Sequence, residues 1–165
     1  MKIEKRIEEL DIELPESSPA KAEYLPVKRT GNLLFVSGQI PIKEDKILYK
    51  GKLKKDEDIQ YGQNAAVLCT INMMAALKDY LKNLDYIKEV VKIQGFVNSE
   101  VGFDKQHLVI NEASKLLFEI FGEKGRHSRT AVGTNQLPLD ITVEIEGIFE
   151  IGDEYFNEIW FWYYS

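Results

Sequence analysis

Residues Ile141 to Glu146 alternate strictly: Ile141, Val143 and Ile145 are apolar, while Thr142, Glu144 and Glu146 are polar. Successive side chains of a strand point to opposite faces, so the run Ile141–Ile151 predicts a strand covered on one side only. Helices to cover it come from two stretches. Between Glu57 and Leu84, the residues Ala65, Leu68, Cys69, Asn72, Met73, Ala76, Leu77 and Tyr80 recur at spacings of three and four, which places them on one helical face. Asn72 is the strongly polar member of that stripe. A second helix, capped by Asp104 and stopped at Gly122, carries Leu108, Val109, Leu116, Leu117 and Ile120.

The intervening segments read as strands. Tyr24–Lys28 is an edge-type strand, since Pro26 cannot donate to a ladder. Gly31-Asn32 makes a turn, and Leu33–Ser37 is apolar on both faces, as a central strand would be. Ile47–Tyr49 is a short strand, Val90–Asn98 a longer one rich in β-branched residues, and Arg129–Thr134 precedes the last strand. The predicted class is α+β, with one mixed sheet of five or six strands and two main helices on one of its faces. The opposite face must then be solvated or meet another subunit.

The chain divides into residues 1–22 (a helix and a loop), 23–151 (the main domain) and 152–165 (an aromatic tail). The first ten residues lack an apolar core segment and read as an amphipathic helix rather than a signal peptide. The tail holds Tyr155, Phe156, Trp160, Phe161, Trp162, Tyr163 and Tyr164. Such a run is unfavourable in water, so it is expected to dock on the domain's own surface or between subunits. A length of 165 residues suits one domain, and 44% apolar with 29% charged residues is ordinary for a globular chain. The net charge of -6 argues against nucleic acid as a partner, because phosphate contact needs clustered Lys and Arg. No apolar run is long enough for a membrane span. The single cysteine, Cys69, excludes an internal disulfide and suits a reducing compartment, hence a cytoplasmic location. It reads as a small buried hydrophobe. With only His107 and His127 beside it, a structural zinc site would need carboxylates.

The densest polar cluster beside a predicted strand is Gly125-Arg126-His127-Ser128-Arg129-Thr130-Ala131-Val132-Gly133. Arg129 at the start of a strand can offer a planar fork of donors to a carboxylate. Glu144, on the polar face of what reads as the adjoining strand, can hold or deprotonate a water. By spacing alone, such a pair is most simply a solvated cross-strand ion pair. His127 reads as a strand-end residue and His107 as an exposed helical one. Glu146 shares the face of Glu144 and reads as structural or subunit-facing.

Several blocks together carry a resemblance. They are Thr30-Gly31-Asn32-Leu33-Leu34-Phe35-Val36-Ser37-Gly38-Gln39-Ile40-Pro41, then Asn111, Arg129-Thr130-Ala131-Val132-Gly133, Leu137-Pro138 and Val143-Glu144-Ile145-Glu146-Gly147-Ile148. In order from about Tyr24 to Ile151, the chain resembles the reactive intermediate deaminase family, RidA/YjgF. The opening helix and the motif His127–Gly133 are similar to a less characterised branch of it. The resemblance implies a chorismate-mutase-like fold and a homotrimer with sites in the clefts between subunits. It implies hydrolysis of small 2-enamine and 2-imine acids to 2-keto acids and ammonia, without metal or organic cofactor. Carried over by position, Arg129 would clamp the substrate carboxylate and, standing beside Glu144, would favour that residue's ionised form. Glu144 would position the attacking water, and Tyr24, Ser37, Gly38 and Asn111 would line the cleft. Family members often carry a cysteine two residues after the arginine; here that position is Ala131, which excludes a thiol role there. Two competing readings are a trimer that binds keto acids without turnover and a ribonuclease, the latter a poor fit to the acidic balance.

Overall fold

The computed structural model describes residues 2–16 and 23–155. The alternating run becomes β7 (Val143–Ile151), in which buried and half-buried residues alternate along the whole strand. Two strands flank it, β2 (Leu33–Gln39) on one side and β5 (Ile87–Asn98) on the other, both antiparallel to it. Outside these lie β1 (Val27–Thr30), antiparallel to β2, and β6 (Ser128–Thr134), parallel to β5. The five-stranded order is therefore β1-β2-β7-β5-β6. A parallel pair needs a crossover, which α3 (Gln106–Phe121) supplies between β5 and β6. A separate two-stranded ribbon, β3 (Ile42–Lys43) with β4 (Lys46–Ile47), turns through Glu44 and Asp45, both at positive φ.

The long helix α2 (Ile59–Leu81) and α3 share one face of the sheet. Ala65, Cys69, Met73 and Leu77 of α2 join Val109, Ile110, Ala113 and Leu117 of α3 in one core with Ile93, Val97, Ile145 and Phe149. Close approach depends on glycine: a Cβ at Gly95 would lie 2.5 Å from Cδ1 of Ile110. Asn72 satisfies its amide inside this core by donating to the Ile40 and Ile42 carbonyls at 2.8 and 2.9 Å. Cys69 is fully buried, as expected of a small hydrophobe. The short helix α1 (Ile3–Glu9) adds Ile3 and Ile7 to the same core. No described helix is long and apolar enough to cross a membrane.

The opposite face presents Glu144, Glu146 and Ile148 of β7 beside Lys92, Gln94 and Phe96 of β5, all half-buried. Phe35 and Val132 on that face are 41% and 42% exposed, so its apolar content is not covered by the described residues.

Several boundaries differ from expectation. The first strand begins at Val27, not Tyr24, because Pro26 has no N–H to give. The carbonyls of Leu25 and Pro26 instead accept from Ser37, from its hydroxyl at 2.7 Å and its amide at 2.9 Å. Asp104 does not cap α3; its carboxylate pairs with Lys105 at 3.1 Å. Thr142 is fully buried rather than facing out, since its hydroxyl donates to the Gly51 carbonyl. Leu48 and Tyr49 fall outside the β4 ladder. Of the aromatic tail, Tyr155 packs edge-on against Tyr86 at 5.5 Å, and residues 156–165 lie outside those described.

Candidate functional site

Arg129 lies on β6, the edge of the sheet, opposite Ile93 of β5 and therefore on the helix-covered face. Its Nη1 donates to Asn111 Oδ1 at 3.0 Å and to Ser114 Oγ at 3.1 Å. Those two residues sit three apart on α3, close enough to serve one guanidinium. Both acceptors are neutral. Among the described residues Arg129 enters no ion pair and no hydrogen bond through Nε or Nη2. The neighbouring cations differ: Arg126 is paired with Glu123 at 2.7 Å, and Lys115 with Glu112 at 3.5 Å.

His127 completes this edge. Its Nδ1 lies 2.6 Å from the Gly125 carbonyl oxygen and its Nε2 lies 3.0 Å from Ser114 Oγ. Burial lowers its pKa from the ordinary imidazole value; the Gly125 carbonyl opposes that shift and Arg129 adds to it. Ser114, Lys115, Phe118, Arg126, His127 and Arg129 line an open hollow of about 420 Å³.

A second group forms where β2 meets β7. Val36 pairs with Gly147 but Gln39 pairs with Ile145, so three steps of β2 span two of β7. The extra residue makes a β-bulge at Ser37-Gly38, a device common beside active sites. Glu144 rests on it: a Cβ added to Gly38 would lie 2.0 Å from Glu144 Oε1, so only glycine leaves the carboxylate its place. Burial first, and Glu146 second, raise the Glu144 pKa above the usual carboxylate value. Gln94 donates from its amide to Glu146. Ser37 is held by Leu25, and Tyr24 just before it is 54% exposed.

The sequence-predicted residues thus fall into two clusters. Arg129 and Asn111 meet on the covered face at one sheet edge. Ser37, Gly38 and Glu144 meet at the β2–β7 bulge, and Tyr24 stands close by in sequence to the Leu25 carbonyl that holds Ser37. Glu144 pairs in register with Phe96 and faces the open side, so β5 lies between it and β6. The expectation that β6 and β7 adjoin is corrected. So is the expectation that Arg129 stabilises the Glu144 anion: within one chain the guanidinium does not act on that carboxylate, whose pKa moves up. Two members of the Arg129 cluster escaped the sequence reading. Ser114 stands three residues after Asn111, a spacing that could have flagged it, and His127 reads from sequence as a strand end.

Residues 4–149 match the family model described as "YjgF/chorismate mutase-like, putative endoribonuclease". The chain belongs to this YjgF family. Protein TCP17 of Trypanosoma cruzi is 36% identical over 148 residues, covering 89% of this chain and 92% of that protein. The crystal structure of Atu1372 from Agrobacterium tumefaciens is 45% identical with a TM-score of 0.83, covering 91% and 92% of the two chains. A structure described as a putative endoribonuclease from Shewanella oneidensis MR-1 is 34% identical with a TM-score of 0.86, covering 92% of this chain and all of that one. The matched residues therefore include most of α1 as well as the sheet and its two helices.

Proposed function

We propose that this YjgF-family chain hydrolyses small 2-enamine and 2-imine acids to 2-keto acids and ammonia, in a homotrimer whose sites combine the two clusters from neighbouring subunits. The observation that carries this reading is the state of Arg129: held through Nη1 by two neutral acceptors, with its other edge unengaged among the described residues. A fixed, uncompensated guanidinium fork is the natural receptor for a planar carboxylate.

Glu144 supplies the other half of the chemistry. An imine carbon is already electrophilic, so the step needs orientation, a water and a proton acceptor. Water adds to C2 as Glu144 takes one of its protons and returns it to the imine nitrogen; the hydroxyl proton of the resulting carbinolamine then passes to the amino group, ammonia leaves, and the carbonyl of the keto acid forms. An enamine first gains a proton at C3 and gives one up from nitrogen to become the imine. A carboxyl whose pKa is raised by burial is a better base for this than an ordinary one. Arg129 stands on the covered side of an edge strand and Glu144 on the open side, so a second copy is required to bring them to one substrate.

The test generates 2-aminoacrylate or an imino acid in situ with a pyridoxal-phosphate enzyme or an amino-acid oxidase, and follows keto-acid release. The protein should accelerate release, and Glu144→Gln should reduce that acceleration by roughly 10²–10⁴-fold, the usual contribution of a positioned acid–base group. Arg129→Ala should cost about 2–5 kcal/mol in binding 2-oxobutyrate by calorimetry. Tight binding of the keto acid with no acceleration would replace the enzyme by a binding protein. The endoribonuclease in the family description is disfavoured by the net charge of -6.

A further inference from the structure

Three hydrogen bonds connect Arg129 to the backbone just before its own strand, at Gly125. Arg129 Nη1 donates to Ser114 Oγ at 3.1 Å, Ser114 Oγ lies 3.0 Å from His127 Nε2, and His127 Nδ1 lies 2.6 Å from the Gly125 carbonyl oxygen. Their directions can be worked out from the far end. A carbonyl oxygen only accepts, so Nδ1 must carry the ring proton. In a neutral imidazole Nε2 is then an acceptor, and it takes the hydroxyl hydrogen of Ser114. The lone pairs of Ser114 Oγ are left to Arg129. The burial that lowers the His127 pKa keeps the ring neutral, as this arrangement needs.

The anchor at the far end is firm. Gly125 is buried against α3, where a Cβ would lie 2.4 Å from the Leu117 carbonyl oxygen. Asn111 holds the same Nη1 from one turn earlier on α3. Two contacts on one nitrogen restrain the guanidinium and leave its Nε/Nη2 edge unengaged among the described residues. Neither contact consumes its charge.

We propose that Ser114 and His127 are positioning residues for Arg129, a one-way hydrogen-bond chain from guanidinium to the Gly125 carbonyl that orients the carboxylate-binding fork. This inference rests on the reading of Arg129 as a carboxylate clamp. It does not place either residue on the substrate.

The hydrogen-bond chain is tested first without ligand. Nitrogen NMR of the full-length protein reads the tautomer of each imidazole, and His107, exposed on α3, is an internal reference. His127 should be the Nδ1–H tautomer near neutral pH, and Ser114→Ala should move its Nε2 signal while that of His107 stays. An Nε2–H tautomer, or a His127 signal indifferent to Ser114→Ala, overturns the chain. Calorimetry with 2-oxobutyrate then tests the positioning. Ser114→Ala and His127→Leu should each weaken binding roughly three- to tenfold, the loss expected for one hydrogen bond. His127→Gln, whose amide oxygen can accept from Ser114, should restore most of it, which a mere loss of packing would not. Wild-type binding matched by Ser114→Ala and His127→Leu would overturn the positioning role and leave the clamp standing. Failure of the wild type itself to bind would remove the clamp, and the positioning role with it.

Discussion

At the scale of single residues, the carboxyl of Glu144 is half-buried on the sheet's open face with Glu146 on the same face of its strand. Burial, reinforced by that second carboxylate, raises its pKa, so the folded chain holds a proton more tightly there than the unfolded chain does. Below the ordinary value of 4.5 both states are protonated, and the stabilising difference is fully present; it is lost as pH rises through the raised folded value. At neutral pH the ionised side chain therefore costs stability, at the position where the proposed mechanism would have it take a proton from water. Glu144→Gln, which keeps the shape and removes the charge, should melt at a higher temperature than the wild type at pH 7. The gap should narrow as the pH falls toward 4.5. Thermal unfolding followed by circular dichroism reads both; a variant less stable than wild type at pH 7 would show that the carboxylate is stabilised by its surroundings instead. Arg129 presents the complementary case, since its anchors are neutral and its charge remains for a ligand.

Elements decide where these side chains go. The β2 bulge at Ser37-Gly38 is one residue of excess against β7, and it makes the shelf on which Glu144 lies. Only the flexible end of Glu144 obstructs a Cβ at Gly38, so Gly38→Ala should leave the fold within about 1 kcal/mol of wild type. The displaced carboxylate should cost roughly 10²-fold in keto-acid release, the scale of a 1 Å misplacement. Unchanged turnover in Gly38→Ala would show that Glu144 does not act from this position. The same element explains what the sequence could and could not disclose. Small residues at Ser37-Gly38 mark the end of an apolar run and are visible as such, whereas the register shift they make is a relation to β7 and is not. The half-covered sheet is legible in the alternation of Val143–Ile151 with two amphipathic helices nearby, because burial imposes periodicity. The neighbour of β6 is not legible. Consecutive strands commonly pair, and β6 precedes β7, but β5 and β6 are joined as a parallel pair through α3, so β7 pairs with β2 and β5 instead. Arg129 and Glu144 consequently stand on opposite faces, a fact that spacing along the chain does not contain.

For the whole molecule, that separation becomes a statement about assembly. A sheet whose uncovered face carries Phe35 and Val132 beside carboxylates, and whose edge strand carries Arg129 with its fork open, presents two incomplete surfaces of different chemistry. Contacts between unlike surfaces close into a ring when the rotation allows, and three copies would give three equivalent clefts. Each cleft would take its guanidinium from one subunit and its carboxylate from the next. Arg129→Ala and Glu144→Gln chains should therefore each be inactive alone, yet recover activity when co-expressed under two affinity tags and purified as mixed oligomers. In a mixed trimer of either composition one cleft in three joins an intact Arg129 from one variant to an intact Glu144 from the other, so activity should return to about a third of wild type. Recovery needs subunits to mix, so mixtures of wild-type chains under the same tags establish exchange. Mixed oligomers that stay inactive would place both residues' partners within a single subunit, and the composite cleft would fall while the two clusters within each chain remained as described.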